Sequence, residues 1–337
     1  GRTVTIGFIG HGSRGVGQLK TLLSMQDVQV NAVCDIYEDR AQAAAQSVEE
    51  ARGVRPFCTT DYREVICRED IEAVVIMTSW QTHIPIAIDA MRAGKHVLCE
   101  KPFASNAREV RQMTEAAKKY GVTLMEAMIS TLNPNFAIAK EHLKDLGTIR
   151  RYFASYCQYS SRYDKFKEGI VLNAFKPELS NGAMMDIGIY TVYPMVALFG
   201  RPQKVEAQGI RLHTGVDGQG AVNFQYDDMN ATVLYSKIAN SSLPTEIEGE
   251  KGNLLLDKIH ITNTVDFIPR QVVGQGQEQA NIPHSIGVPL DKSPYYYEMA
   301  EFMNGDDDAQ NNERCKNVIY SHKRLPRHSS EHIYEAF

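Results

Sequence analysis

A β-rich run over residues 3–9 enters Gly10-His11-Gly12-Ser13-Arg14-Gly15, and residues 16–25 then place apolar side chains at helical spacing. Strand, glycine turn and helix in that order constrain a chain strongly, because each glycine has its own steric task. The first permits the tight turn, the second lets backbone approach a pyrophosphate, and the third packs the helix against the strand. The helix N-terminal N–H groups then face the phosphate charge. The next apolar run, residues 28–34, ends in Asp35, about 20 residues beyond Gly15, where an acid that accepts from a ribose 2′-hydroxyl belongs. Together these features predict a dinucleotide-binding βαβ unit, with Gly10, Gly12, Ser13, Arg14, Gly15 and Asp35 touching the cofactor.

Asp35 also bears on which dinucleotide binds. A carboxylate there repels a 2′-phosphate, and Glu38 and Asp39 add negative charge, whereas Arg14 and Arg40 could clamp one. The balance favours NAD over NADP.

Further along, strand and helix patterns alternate with short connections, which predicts a doubly wound parallel sheet, an α/β Rossmann domain over residues 1–123. Residues 71–77 form a continuous apolar run suited to a strand covered on both faces, and it delivers Thr78, Ser79, Trp80 and His83 at its carboxyl end. A helix over 84–93 closes at Gly94, and the stretch Lys95-His96-Val97-Leu98-Cys99-Glu100-Lys101-Pro102 follows. It reads as a buried strand presenting Glu100 and Lys101 at its carboxyl end, on the sheet edge where such folds bind ligands. A surface ion pair is the plainer account of the same two residues. A helix over 105–119 and a strand over 122–125 complete this half.

Residues 124–337 read as a second, α+β domain with a large, mainly antiparallel open sheet. Strand patterns cover 149–160, 205–213, 221–226, 231–238, 245–248 and 254–261, with hairpin punctuation at Val216-Asp217-Gly218 and Asp227-Asp228. One helix, residues 182–195, carries Asp186 and Tyr190 at i and i+4, hence on one face. Such a face can present a carboxylate and a phenol to a substrate, although a packed tyrosine and a capping aspartate explain the pattern equally well. The tail from Tyr295 reads as helix and residues 305–308 as a solvated loop.

Composition excludes several classes. With 36 Lys+Arg against 41 Asp+Glu, a net charge of −5 and no basic block, nothing points to nucleic acid. No apolar run approaches the ~18 residues of a membrane span. Cys34, Cys58, Cys67, Cys99, Cys157 and Cys315 lack CxxC spacing, so they read as reduced thiols of a cytoplasmic protein, with no metal site.

Residues 10–15, the Thr78–His83 segment, Glu100-Lys101-Pro102 and residues 182–190 together resemble the Gfo/Idh/MocA oxidoreductases. Glu100-Lys101-Pro102 resembles the family's EKP signature, and Asp186-Ile187-Gly188-Ile189-Tyr190 its D-x-G-x-H/Y helix. The tyrosine version, with Met125-Glu126-Ala127 upstream, is similar to the branch of dimeric dihydrodiol dehydrogenase and glucose–fructose oxidoreductase. Two segments depart from the pattern: Ser79-Trp80 stands for Pro-Asn, and Met128-Ile129-Ser130-Thr131 for an aromatic-rich stretch. The resemblance implies an NAD(P)-dependent dehydrogenase moving a hydride between nicotinamide and a carbinol carbon of a sugar, inositol or related polyol. Lys101 and Tyr190 are then the catalytic pair, Asp186 positions substrate, Glu100 orients Lys101, and Thr78, Ser79, Trp80, His83, Glu100 and Lys101 join the cofactor contacts. The open second-half sheet, with its alternating apolar residues and tyrosines, leaves a face to cover and predicts a homodimer or homotetramer through that sheet. A silent dinucleotide-binding regulator and a cofactor-recycling epimerase or lyase share the fold and are the alternatives. Substrate contacts in the second half are expected among Tyr156, Gln158, Arg162, Tyr163 and Asn173, with Tyr159, Ser160, Ser161 and Lys165 equally placed.

Overall fold

The structure, a computed structural model, describes residues 2–276 and 281–307. Its contacts divide the chain into two units, the first running to Met128 and resuming at Lys292, the second spanning Ile129–Asp291. The pattern-based division at residue 123 differs at both ends. Strand pairing carries on through Ala127, and the helix that begins at Pro294 packs on the first unit's motif helix.

In the first unit, β1 (Val4–Ile9), β2 (Val28–Cys34), β3 (Phe57–Thr59), β4 (Ala73–Ile76), β5 (His96–Glu100) and β6 (Leu124–Ala127) form one sheet in the order β3-β2-β1-β4-β5-β6. Every pairing is parallel. The order reverses between β1 and β4, and ligands of such sheets bind outside the carboxyl ends at that reversal. Central strand β4 is apolar and buried at every position, as suits a strand covered on both faces. The α-helices between these strands are α1 (Ser13–Leu23), α2 (Glu38–Arg52), α3 (Tyr62–Ile66), α4 (His83–Arg92) and α5 (Ala107–Tyr120).

In the second unit, α6 (Ile129–Leu132) and α7 (Pro134–His142) lead into β7 (Ile149–Cys157). There follow α8 (Tyr163–Lys167), α9 (Ile189–Phe199), β8 (Lys204–Arg211), β9 (Asp217–Gln225) and β10 (Asn230–Ser236). The unit finishes with β11 (Thr245–Gly249), β12 (Gly252–Leu256), β13 (Val265–Pro269) and β14 (His284–Ser285). Its sheet runs β14-β13-β12-β11-β7-β10-β9-β8, antiparallel except for β7 beside β10. Helix α9 lies on one face, where the Tyr152 hydroxyl donates to the Thr191 carbonyl at 2.9 Å and its ring meets Phe199 edge-on. The chain then returns to the first unit as α10 (Pro294–Asp307).

Several local predictions shift. The hairpin turn before β9 closes from Leu212 to Val216, one step ahead of Val216-Asp217-Gly218, which already enter the strand. The strand pattern over 254–261 ends at Leu256, and residues 257–261 form a loop. Short β13 and β14 escape the pattern altogether. Residues 305–307 continue α10 instead of starting a loop, while Asp308 and Cys315 lie outside the described residues. The stretch Pro177–Phe199 is, by length and composition, apolar enough to cross a membrane, and 72% of its most apolar window is buried in the protein. Ser180, Asn181 and Asp186 interrupt it, which is why the bare sequence shows no such run.

Candidate active site

In the first unit the cradle is held by backbone. Gly10 has φ 99, and a Cβ on it would lie 2.7 Å from the Met77 carbonyl of the neighbouring strand end. A Cβ on Gly15 would lie 2.2 Å from the Gly10 oxygen, so turn and helix meet too closely for any side chain. The first turn of α1 carries no acidic residue, and its N-cap, Gly12, supplies no side-chain acceptor. By contrast, Asp61, Asn106 and Asn133 cap the N-termini of α3, α5 and α7 with side-chain oxygens. An N-terminus without a side-chain cap, behind a turn without Cβ atoms, fits a pyrophosphate. Asp35, just beyond β2, accepts from the His11 amide at 2.7 Å and the Tyr37 amide at 3.0 Å. These bonds lock the acid to the glycine turn, and a carboxylate keeps lone pairs for ribose hydroxyls. The residues present therefore fit a dinucleotide.

Beside this cradle, Thr78 follows β4 and Glu100 ends β5, whose register places Ile76 opposite Cys99. His83 is fully buried, its Nε2 3.1 Å from the Thr78 carbonyl and its Nδ1 3.1 Å from that of Pro102. It thus pins the end of β4 to the turn that carries Lys101. Burial pushes its pKa down to about 4, against the pull of those carbonyls. Ser79 precedes a short 3-10 turn over Trp80–Thr82, in which the Thr82 hydroxyl donates to Thr78 Oγ1 at 2.8 Å. Glu100 and Lys101 are 8% and 5% exposed, which removes the surface-pair account of them. Thiols near the site are inert: burial and Asp35 raise Cys34 to about 12, and burial raises Cys99 well above its usual value.

Two partners here were invisible in the sequence, because α10 arrives from the far end of the chain. The Arg14 guanidinium lies 3.9 Å from Glu100, donates to the Tyr295 hydroxyl and sits 5.2 Å over its ring. Gln18 Nε2 donates to Glu298 Oε1 at 2.7 Å. Glu298 is wholly buried, and burial together with the neighbouring Glu100 charge raises its pKa well above its ordinary value.

In the second unit the site is built from side chains. Asp186 lies in a π-helical turn, Met184–Gly188, which runs into α9 with Tyr190 in its first turn. Such wide turns cluster at functional sites. Asp186 and Tyr190 are thus joined across a change from π-helical to α-helical winding. Asp186 pairs with Lys237, which is 4% exposed and lies 5.3 Å over the Phe175 ring. Tyr190, 5% exposed, meets Tyr156 edge-on at 5.7 Å and His260 at 6.2 Å. His260 stacks flat on Tyr156, with centroids 4.0 Å apart and planes 2° apart. Lys237 and His260 were missed because each has an ordinary reading, as a strand-end lysine and as one position in an apparent strand. Among the expected substrate residues, Tyr156 joins this cluster and its hydroxyl donates to Gln158 at 3.3 Å. Tyr159 donates to Asp164 at 2.7 Å, Tyr163 packs with Phe166 and Phe175, and Asn173 opens a 3-10 turn.

Comparison with known proteins agrees with this construction. Residues 4–128 match the model of the oxidoreductase family with an NAD-binding Rossmann fold, and residues 138–255 the GFO/IDH/MocA C-terminal domain. The chain is 44% identical over 285 residues to scyllo-inositol 2-dehydrogenase (NADP(+)) IolU of Bacillus subtilis (strain 168), covering 85% of this chain and 83% of that one. It is 30% identical to trans-1,2-dihydrobenzene-1,2-diol dehydrogenase of Mus musculus, covering 79% and 75%. Levoglucosan dehydrogenase in complex with NADH shares the fold at a TM-score of 0.77 and 20% identity, covering 91% of each chain. The chain therefore belongs to the Gfo/Idh/MocA family and is an NAD(P)-dependent oxidoreductase.

Proposed function

We propose that this enzyme moves a hydride between NAD and a carbinol carbon of an inositol-type polyol or a sugar, with Lys101 and Tyr190 as the catalytic pair. The observation that carries the reading is the buried Glu100-Lys101 pair on the sheet edge that holds the glycine cradle, Asp35 and Thr78. The polyol class is supported by the B. subtilis relative, named for scyllo-inositol. Bound NAD supplies the hydride acceptor. Lys101 hydrogen-bonds the substrate oxygen and stabilises the negative charge it develops, and Tyr190 takes the hydroxyl proton. Asp186, its charge balanced by Lys237, positions the substrate. Thr78, Ser79, Trp80 and His83 shape the nicotinamide side, His83 by fixing the turn before Lys101. Burial of both catalytic side chains strengthens these charge interactions.

NAD is the favoured dinucleotide because the Asp35 carboxylate, tied to the glycine turn, would repel a 2′-phosphate, and Arg14, a cation of that turn, is engaged by Glu100 and Tyr295. A kcat/KM ratio that favours NADP in side-by-side assays removes this part of the reading. We place the enzyme in the cytoplasm, on its five free described cysteines, and as a homodimer or homotetramer through its open sheet, whose edge strand β8 is exposed at every position. Sedimentation as a monomer at micromolar concentration removes the oligomer.

The decisive experiment is single-turnover NADH formation with scyllo-inositol, myo-inositol and glucose. Lys101→Ala and Tyr190→Phe are each expected to lower the rate about 10²- to 10⁴-fold. Wild-type rates in both variants overturn the assignment. Sugar conversion without net NADH marks cofactor recycling, and NAD binding without either signal marks a silent regulator.

A further inference from the structure

We infer that His260 is a specificity-determining residue, its imidazole hydrogen-bonding a second hydroxyl of the polyol whose reacting hydroxyl Tyr190 deprotonates. The inference rests on the role given to Tyr190 above and adds what the site selects for.

His260 sits in the loop after β12, outside any strand pairing, yet its ring is held on two sides. One face lies flat on Tyr156, and Tyr190 meets both rings edge-on, so the three form a closed triangle with centroid separations of 4.0, 5.7 and 6.2 Å. Stacking fixes the imidazole plane and therefore the directions of its N–H and its lone pair. Neither ring nitrogen has a hydrogen-bond partner among the described residues. A half-buried ring held in one plane with its polar rim unengaged is suited to meet a ligand, because partly desolvated donors and acceptors are costly to leave unmatched. The 6.2 Å between its centroid and that of Tyr190 suits two oxygens of one polyol ring better than two separate molecules.

The chemistry of the ring narrows the ligand further. Burial, with Lys258 adding to it and Asp257 opposing, pushes the His260 pKa down to about 4, so the ring is neutral at physiological pH. A neutral imidazole offers one donor and one acceptor, which is what a hydroxyl offers in return. An anionic group would instead call for the doubly protonated ring. The nearest buried cation in this unit's site, Lys237, is already paired with Asp186. The cluster therefore selects an uncharged polyhydroxyl compound over its phosphate ester, and a fully hydroxylated ring over a deoxy one.

His260→Phe tests this, since phenylalanine retains the stack and removes both nitrogens. Using the member of the scyllo-inositol, myo-inositol and glucose panel with the highest kcat/KM, the variant is expected to raise the polyol KM about 10- to 100-fold. Its kcat is expected to stay within a few-fold, and its NAD affinity and melting temperature to match wild type. The sharper readout is discrimination between that polyol and its monodeoxy derivatives. Wild type rejects one derivative strongly, since a site built to bond a hydroxyl rejects the analogue without it. In His260→Phe that ratio collapses, and His260→Asn restores part of it. An unchanged ratio overturns the inference even if KM rises, because a merely structural ring weakens all members alike. A panel with no turnover overturns the polyol reading and this inference together. Wild-type rates in Lys101→Ala and Tyr190→Phe remove the deprotonating role of Tyr190, while the bond from His260 to a polyol hydroxyl is still decided by the ratio, which is measured independently of them.

Discussion

The cofactor end of the first unit and the aromatic cluster of the second solve the same problem by different means. At the cofactor end, position is set by main chain. Missing Cβ atoms bring Gly15 against Gly10, Asp35 holds two amides, and His83 faces two carbonyls. In the second unit, position is set by side chains on side chains, with Asp186 on Lys237 and Tyr190 against Tyr156 and His260. Backbone geometry changes little with sequence, so the first arrangement suits a ligand part that never varies. Side-chain geometry changes with every substitution, so the second suits the part that does. One scaffold can thus keep its dinucleotide while its substrate drifts.

This contrast breaks most readily at Gly15. Gly15→Ala drives a methyl into the Gly10 carbonyl at 2.2 Å, and nothing there is a flexible side chain that could yield. Loss of NAD affinity on the order of 100-fold or more is expected in a calorimetric titration. Near-wild-type binding would show that the cradle is less rigid than its geometry indicates.

Removing one partner of the Asp186–Lys237 pair probes the other end. Lys237→Met removes the cation beside the half-buried Asp186 carboxylate, and a cost of about 3 kcal/mol in denaturant unfolding is expected. The double variant Asp186→Asn/Lys237→Met is expected to recover most of that stability while remaining inactive, and NAD affinity should be untouched in both. A stable Lys237→Met would place the pair among the many ion pairs that contribute little.

A smaller effect is read by pH at the turn before Lys101. His83 has a folded pKa near 4 against 6.5 for the free side chain. The unfolded chain therefore takes up the proton first as pH falls. Stability is fully present above pH 6.5, declines as pH drops towards about 4, and levels below that, by up to ~3 kcal/mol. A melting-temperature profile that falls over this window, and falls less in His83→Asn, is the expected result. A flat profile would mean that the two carbonyls hold the proton on the ring despite its burial.

The same contrast explains what the sequence alone disclosed. Gly10–Gly15, Asp35 and Glu100-Lys101 are legible because their tasks belong to residue type and local spacing. A strand must precede the turn and a helix must follow it, so neighbours in sequence certify one another. Asp186 and Tyr190 are half legible: the pair stands out, but the π-helical turn that carries Asp186 does not. Lys237, His260, Tyr295 and Glu298 are not legible, since each gains its meaning from a partner far along the chain. Gln18 and Glu298 are 280 positions apart, and Asp186 and Lys237 are 51. His260 was further masked by the strand pattern over 254–261, whereas the strand itself stops four residues before it, at Leu256.

The parallel pairing of β7 with β10 carries a kinetic consequence. Arg151 cannot reach its register opposite Asn230 until the crossover between them, which includes α8, α9, β8 and β9, has been gathered in. Closing so long a loop precedes any return from the contacts it brings, which slows assembly. The turn bearing Asp186 and the helix bearing Tyr190 lie inside that crossover. The glycine turn and Asp35, by contrast, lie within one short stretch of chain, joined by the His11 amide. A refolding chain is thus expected to rebuild that turn before the second unit's side-chain cluster.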